Sequence, residues 1–251
     1  MKNFIVIMLT LQLFTASFTA SSESVNYYVI AKQAMPFQIT TKDNQHTGIV
    51  SDIIAKIFVD KYTINYHVYP FNRMISELEA GGEKNWITYG SPNWGSVQAD
   101  NLSDKPIYTV SHSILTNAKS DFSYTKISDI KDKVFVLLYG FDYPTLQPYI
   151  DSGEIQELRV KDYAAAFRIL DKMPQDAIFI EMTSRIQYNL KIQSKDLNNY
   201  HLQDFSALIP TYPIYLAFDP KMDSELQLFI NQQLSDLTTA GTLTDIISQY
   251  M

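Results

Sequence analysis

Val68 to Ser96, VYPFNRMISELEAGGEKNWITYGSPNWGS, reads as a strand end, a helix, a glycine turn, a second strand and a loop. Val68-Tyr69-Pro70 closes a strand, because proline has no amide hydrogen to continue the ladder. Asn72 suits the N-cap of the helix that follows. Met74, Ile75 and Leu78 recur at spacings that place them on one helical face. Gly81-Gly82 stops that helix, since glycine accepts the left-handed conformation found there. Trp86-Ile87-Thr88-Tyr89 is strand-like, and Gly90-Ser91-Pro92 ends it. In open α/β sheets, ligands meet the loops at the carboxyl ends of strands. The stretch supplies two such ends, one bearing Arg73 and the other Gly90, Ser91 and Trp94. It is expected to form one wall of a small-molecule cleft.

Outward from this stretch the same alternation continues. Val25 to Ile30 is a strand whose residues suit a buried sheet, and Ala34-Met35-Pro36-Phe37 leaves its carboxyl end. Gly48 precedes an apolar helical face of Ile49, Val50, Ile53, Ile54, Ile57 and Phe58. Tyr62 to Tyr69 is the next strand, so the order β-α-β-α-β predicts a parallel sheet covered by helices. Lys133 to Leu138 starts a second α/β series. Tyr139-Gly140-Phe141-Asp142-Tyr143 leaves that strand, and Pro144 fits a helix N1 position. Ala164 to Leu170 is helical, Ala177 to Ile180 is a buried strand ending at Glu181, and Ser184 to Leu190 is helical. Tyr212 to Phe218 is extended, and Asp223 to Leu237 is a long helix.

The expected fold is α/β and two-lobed, with residues 23–112 and 209–251 in lobe 1 and residues 113–208 inserted as lobe 2. Two extended crossings, near 109–116 and 207–214, would serve as the hinge, where a few residues absorb the backbone rotation of closure. Residues 1–22 read as a secretory signal peptide: Lys2 precedes the apolar run Phe4 to Phe14, and small residues follow. That run is short for a bilayer span. The chain has no cysteine, hence no disulfide and no lipid-bearing cysteine after the signal. Export to a periplasm as a soluble, monomeric protein is the expectation.

Composition narrows the partners. The formal charge is −7, which gives nonspecific nucleic-acid binding no electrostatic support. Seventeen Tyr and fourteen Phe suit a polar organic ligand, although aromatic residues also favour strands. The four His, at positions 46, 67, 112 and 201, lack metal-ligand spacing. No nucleophile elbow, phosphate loop or dinucleotide fingerprint occurs. Neither cofactor nor metal is expected.

Six pieces in order resemble the bacterial extracellular solute-binding proteins of family 3, the periplasmic components of amino-acid-type ABC importers. Met35-Pro36-Phe37 with Gly48, Asp52 and Ile53 is similar to the family's opening "PPF…GFDVDL". Phe71-Asn72-Arg73 through Leu78 and Gly81 is similar to its "WDRxxxxLxxG". Asn101 to Tyr108 is similar to "DFSDPYY", Ile127 to Lys133 to "sxxDLKGK", and Asp176 to Glu181 to "DAxxxD". Leu226 to Leu237, Gly241 and Ile246 to Tyr250 are similar to the closing segment. The resemblance implies a type II periplasmic-binding-protein-like fold, lobe closure on a small polar solute and delivery to an inner-membrane permease.

One departure stands out. The family's carboxylate-binding Arg follows the strand matching Trp86 to Tyr89, and here its approximate counterpart is Val97. Removing a bidentate cation removes the most specific carboxylate contact. Glu181 matches the acid that receives the ligand's amine. Arg73 is the compensating cation to test; its plainer reading is an exposed first-turn Arg. The candidate ligand-binding set is Phe37, Arg73, Gly90, Ser91, Trp94, Phe141, Asp142 and Glu181, with Asp142 also suited to cap a helix at Pro144. Non-catalytic binding is the leading reading. The alternatives are a sensor subunit that reports the solute to a membrane receptor and, further off, a periplasmic dehydratase-like enzyme.

Overall fold

The computed structural model describes residues 23–59, 61–95 and 97–251. The expected signal peptide lies outside these residues. The chain forms β1 (Ser24–Ile30), β2 (Ile39–Thr40), β3 (His46–Thr47), α1 (Ile49–Phe58), β4 (Thr63–Tyr69), α2 (Phe71–Glu79), β5 (Trp86–Gly90), α3 (Val97–Asp100) and β6 (Tyr108–Val110). It continues through β7 (His112–Asn117), β8 (Val134–Leu138), α4 (Gln147–Asp151), β9 (Gln156–Val160), α5 (Tyr163–Lys172), β10 (Ala177–Met182), α6 (Thr183–Ile192) and β11 (Tyr200–Asp204). β12 (Tyr212–Phe218), α7 (Ser224–Thr239) and α8 (Thr242–Ser248) complete it.

Two five-stranded sheets share one plan. The first has the order β4-β1-β5-β12-β6 and the second β11-β7-β10-β8-β9. In the first, β4, β1 and β5 run parallel and β12 lies antiparallel between β5 and β6. In the second, β9, β8 and β10 run parallel and β7 lies antiparallel between β10 and β11. The chain leaves the first sheet after β6, enters the second at β7 through Ser111, and returns between β11 and β12. This is an α/β, two-lobed periplasmic-binding-protein-like architecture, with the carboxyl ends of β1 and β5 in one lobe and of β8 and β10 in the other.

The helices form where apolar spacing gives them a face to bury. In α1, Ile49, Val50, Ile53, Ile54, Ile57 and Phe58 are all buried, each contributing about 1.5–3 kcal/mol as an upper bound. Gly48 holds φ 107°, and a Cβ there would stand 2.8 Å from the carbonyl oxygens of Pro36 and Phe37; only glycine lets α1 start this close to the loop after β1. The chain's end locks the same junction: the Tyr250 hydroxyl donates to Asp52 Oδ2 at 2.5 Å and accepts from the Gly48 amide at 2.8 Å. β8 reads VFVLL because both of its faces are covered. Val136 and Leu138 pack with Phe167 and Phe179, whereas Phe135 and Leu137 pack with Ile178, Ile180 and Phe205.

Several local expectations need correction. α2 begins at Phe71 with Pro70, not Asn72, at its N-cap. The Pro70 carbonyl already accepts the Met74 amide at 2.9 Å, which draws Phe71 and Asn72 into the helix. Pro144 does not open a helix. The Tyr143 carbonyl takes the Leu146 and Gln147 amides in a turn, and α4 starts at Gln147 with Pro148 in its first turn. Asp142 therefore has no helix to cap. β9 and β11 went unrecognised in the sequence. Both are edge strands with mostly exposed or half-buried residues, so neither carries a buried apolar run.

Candidate functional site

The ends of the parallel strands meet across a cavity of about 290 Å³ between the lobes. Lobe 1 contributes Ile30 from β1, Tyr89 from β5, Trp94 from the loop after it and Phe71 from α2. Lobe 2 contributes Phe141 to Thr145 after β8, Glu181 and Met182 at the end of β10, and Arg185 from the first turn of α6. Ile209 to Tyr212, on the return crossing, closes one side. The lobes touch at the mouth. Phe71 stacks on Phe141 with centroids 5.0 Å apart, and Gln33 donates to the Tyr139 and Lys161 carbonyls.

The chemical centre is the pair Glu181 and Arg185, both almost fully buried, with Nη1 and Oε1 3.6 Å apart. Glu181 is the penultimate residue of β10, and Arg185 follows four residues later on α6. The N-terminus of α6 is pinned by Thr183, whose amide donates to the Ser111 carbonyl and whose hydroxyl bonds Ser111 and Ser113. Arg185 reaches across the gap: its Nη2 donates to the Tyr89 hydroxyl of lobe 1 at 3.1 Å. Its guanidinium lies 5.0 Å from the Phe141 ring centroid and 5.7 Å from that of Phe37, within cation–π range of both. Glu181 Oε1 accepts the Met182 amide at 2.7 Å, and Oε2 accepts the Tyr163 hydroxyl at 3.4 Å.

Burial raises the pKa of Glu181, while Arg185, the Met182 amide and the Tyr163 hydroxyl pull it back. Arg185 stays charged, as guanidinium does in proteins. His112 lines the same cavity with its Nδ1 unpartnered. Burial first, and then the positive charge of Arg185, lower its pKa to about 4, so it is neutral at ordinary pH. The Tyr212 hydroxyl accepts from Trp94 Nε1 at 3.0 Å and fixes that indole in the wall. The arrangement can hold a small molecule by stacking and by one buried pair of opposite charges. Among the described residues, no group of three or more His, Asp or Glu is placed to hold a metal ion.

The eight candidates from the sequence separate by position. Trp94, Phe141, Asp142 and Glu181 line the cavity. Phe37 is fully buried one layer beneath, stacked on Tyr89 and facing Arg185. Arg73 lies outside the lining. Its exposed side chain pairs with Glu77 at 3.2 Å and covers the Tyr69 ring, because α2 points it along its own outer face. Gly90 and Ser91 support the wall from behind. A Cβ on Gly90 would stand 1.9 Å from the Gln98 carbonyl oxygen, and the Ser91 hydroxyl donates to the Pro213 carbonyl at 2.8 Å. Arg185, Tyr89, Tyr143, His112 and Tyr212 were not singled out from the sequence. Arg185 did carry a signal: a cation in a helix's first turn opposes the helix dipole, and it falls four residues after Glu181.

This fold and cleft define a class, the two-lobed periplasmic-binding-protein architecture. No family model matches the sequence, and no curated protein matches it. Solved structures do share its fold. A structure from work on glutathione import via GshT and the cystine ABC importer TcyBC of Streptococcus mutans superposes with a TM-score of 0.73 at 20% identity, covering 91% of this chain and 95% of that one. A histidine kinase sensor domain with similarity to periplasmic binding proteins gives 0.70 at 16%, covering 91% and 96%. An ancestral amino-acid-binding protein, a precursor of cyclohexadienyl dehydratase, gives 0.68 at 16%, covering 90% and 95%.

Proposed function

We propose that this chain is a divergent member of the family 3 solute-binding proteins. It is exported to the periplasm, where it closes its two lobes on a small polar solute, an amino acid or a related compound, and hands it to an ABC importer. The reading rests on one observation above others: a buried carboxylate–guanidinium pair faces an aromatic-lined cavity where the two lobes meet. Burying such a pair costs several kcal/mol of desolvation per ion, which calls for a compensating need at the lobe boundary. Ligand recognition supplies the need. Closure is favoured by the contacts a ligand adds in the closed state, and here the cavity lining comes from both lobes. Binding proceeds without covalent chemistry, the cleft serving to recognise and release.

Among the described residues no helix is long and apolar enough to cross a membrane. The likeness to a kinase sensor domain favours a second reading, in which the closed form reports the solute to a membrane receptor. A permease and an ATPase encoded beside this gene support delivery; a kinase or cyclase there supports sensing.

The test is a thermal-shift panel of amino acids, amines, short peptides and organic acids. A ligand at a hundred times its Kd adds about 2.7 kcal/mol, which is a rise of roughly 5–10 °C for a chain of this length. A panel with no shift overturns the solute-binding reading.

A further inference from the structure

The hydrogen-bond inventory of the buried pair is lopsided. A guanidinium carries five N–H donors and no acceptor. Arg185 places one of them, on the Tyr89 hydroxyl. Its Nε has no partner, and the 3.6 Å approach to Glu181 is an ionic contact, longer than a hydrogen bond. Glu181, by contrast, has a donor on each oxygen. The pair is therefore short of acceptors, not of donors, while the unpartnered Nδ1 of neutral His112 in the same cavity can take either role.

From this we infer that the ligand is a small organic monocarboxylate with an apolar, preferably flat, body and no α-amino group, its carboxylate held by Arg185 from lobe 2. The inference rests on the solute-binding reading and narrows it. A carboxylate gives the Arg185 fork the planar pair of acceptors it lacks. An ammonium would add donors to a pair that already has too many. It would also have to share Glu181 with a guanidinium 3.6 Å away. Lobe 1 offers no carboxylate, lysine or arginine to the cavity: its lining includes Ile30, Phe71, Tyr89, Asn93, Trp94 and Tyr212. Those walls, with Phe141 opposite, suit an apolar body. A cavity of about 290 Å³ lies at the small end for ligand pockets, which fits a single ring or a branched chain.

Three matched triples test this by calorimetry and thermal shift on the signal-free protein: phenylacetate, phenylglycine and benzylamine; hydrocinnamate, phenylalanine and phenethylamine; isovalerate, valine and isobutylamine. Within each triple the body is constant and only the charged groups change. At least one carboxylate should bind, about tenfold or more tighter than its matched amino acid, with its matched amine silent. Arg185→Gln should weaken that carboxylate by about ten- to a hundredfold, the range of a charge-assisted hydrogen bond. Arg185→Lys, which keeps the buried charge if Arg185→Gln does not fold, should weaken it less. An amino acid or amine that outbinds its matched carboxylate overturns the inference and leaves solute binding standing. So does a hit on the wider panel with all three carboxylates silent, or a carboxylate whose affinity is unmoved by either Arg185 variant. Silence across both panels overturns the solute-binding reading itself.

Discussion

Arg185→Met removes the guanidinium while keeping much of its volume, and leaves Glu181 buried without its counter-charge. Glu181 is 4% exposed and Arg185 2% exposed, so water cannot substitute for the lost partner. Breaking a buried pair by removing one member costs about 3–5 kcal/mol. For a chain of this length that is a fall in Tm of roughly 6–20 °C. The cost depends on pH. Burial already raises the folded-state pKa of Glu181 above its unfolded value, with Arg185 opposing the rise; deleting Arg185 raises it further. A carboxyl with a raised folded pKa is fully compatible with folding below its unfolded pKa, and its contribution is lost as pH rises through the folded value. The gap between wild type and Arg185→Met should therefore narrow in acid, where Glu181 is neutral in the variant, and widen toward neutral pH. Tyr89, Tyr143 and Tyr163 are all raised from their usual range and stay clear of that window, whereas His112, lowered to about 4 by burial and by Arg185, titrates at its acid end, so both proteins are compared with His112 replaced by Asn. Glu181→Gln/Arg185→Met should recover most of the loss, since two neutral groups need no counter-charge. Urea titrations of wild type, both single variants and the double variant give the coupling energy directly. Strictly additive losses, or a deficit that grows in acid, would refute the reasoning.

Other outcomes follow from the same structure. Gly90→Ala should destabilise by about 3 kcal/mol, the top of the usual overpacking range, because its Cβ would meet the Gln98 carbonyl at 1.9 Å; chemical denaturation reads this. Tyr250→Phe loses hydrogen bonds to Asp52 and the Gly48 amide and should cost about 1–3 kcal/mol, with hydrogen exchange at the start of α1 accelerating. Arg73→Ala should change stability by no more than about 1 kcal/mol, as expected for an exposed pair, and leave ligand affinity untouched in calorimetry. Of the two tryptophans, Trp94 lines the cavity and Trp86 is fully buried elsewhere. Ligand should accordingly change fluorescence in wild type and not in Trp94→Phe.

The sequence determined the elements whose faces are apolar by themselves. The helix Ile49–Phe58, the strands Trp86–Gly90 and Tyr212–Phe218 and the buried strand VFVLL were legible because burial selects their residues at helical or sheet spacing. The edge strands Gln156–Val160 and Tyr200–Asp204 were not, because an edge is held by pairing rather than by apolar pattern. The cleft wall was readable from the two strand ends in Val68 to Ser96, and Glu181 from the end of its own strand. The cation was not. Arg73 and Arg185 both read as first-turn arginines of a helix following a strand, and local sequence does not say which faces inward. Only the tertiary structure decided it. α2 aims Arg73 along an exposed face toward Glu77, whereas the docking of α6 through Thr183 onto Ser111 and Ser113 drives Arg185 between Phe37 and Phe141, onto a tyrosine of the opposite lobe. Such a contact joins residues 96 positions apart, and that proximity exists only once both sheets have formed and closed on each other.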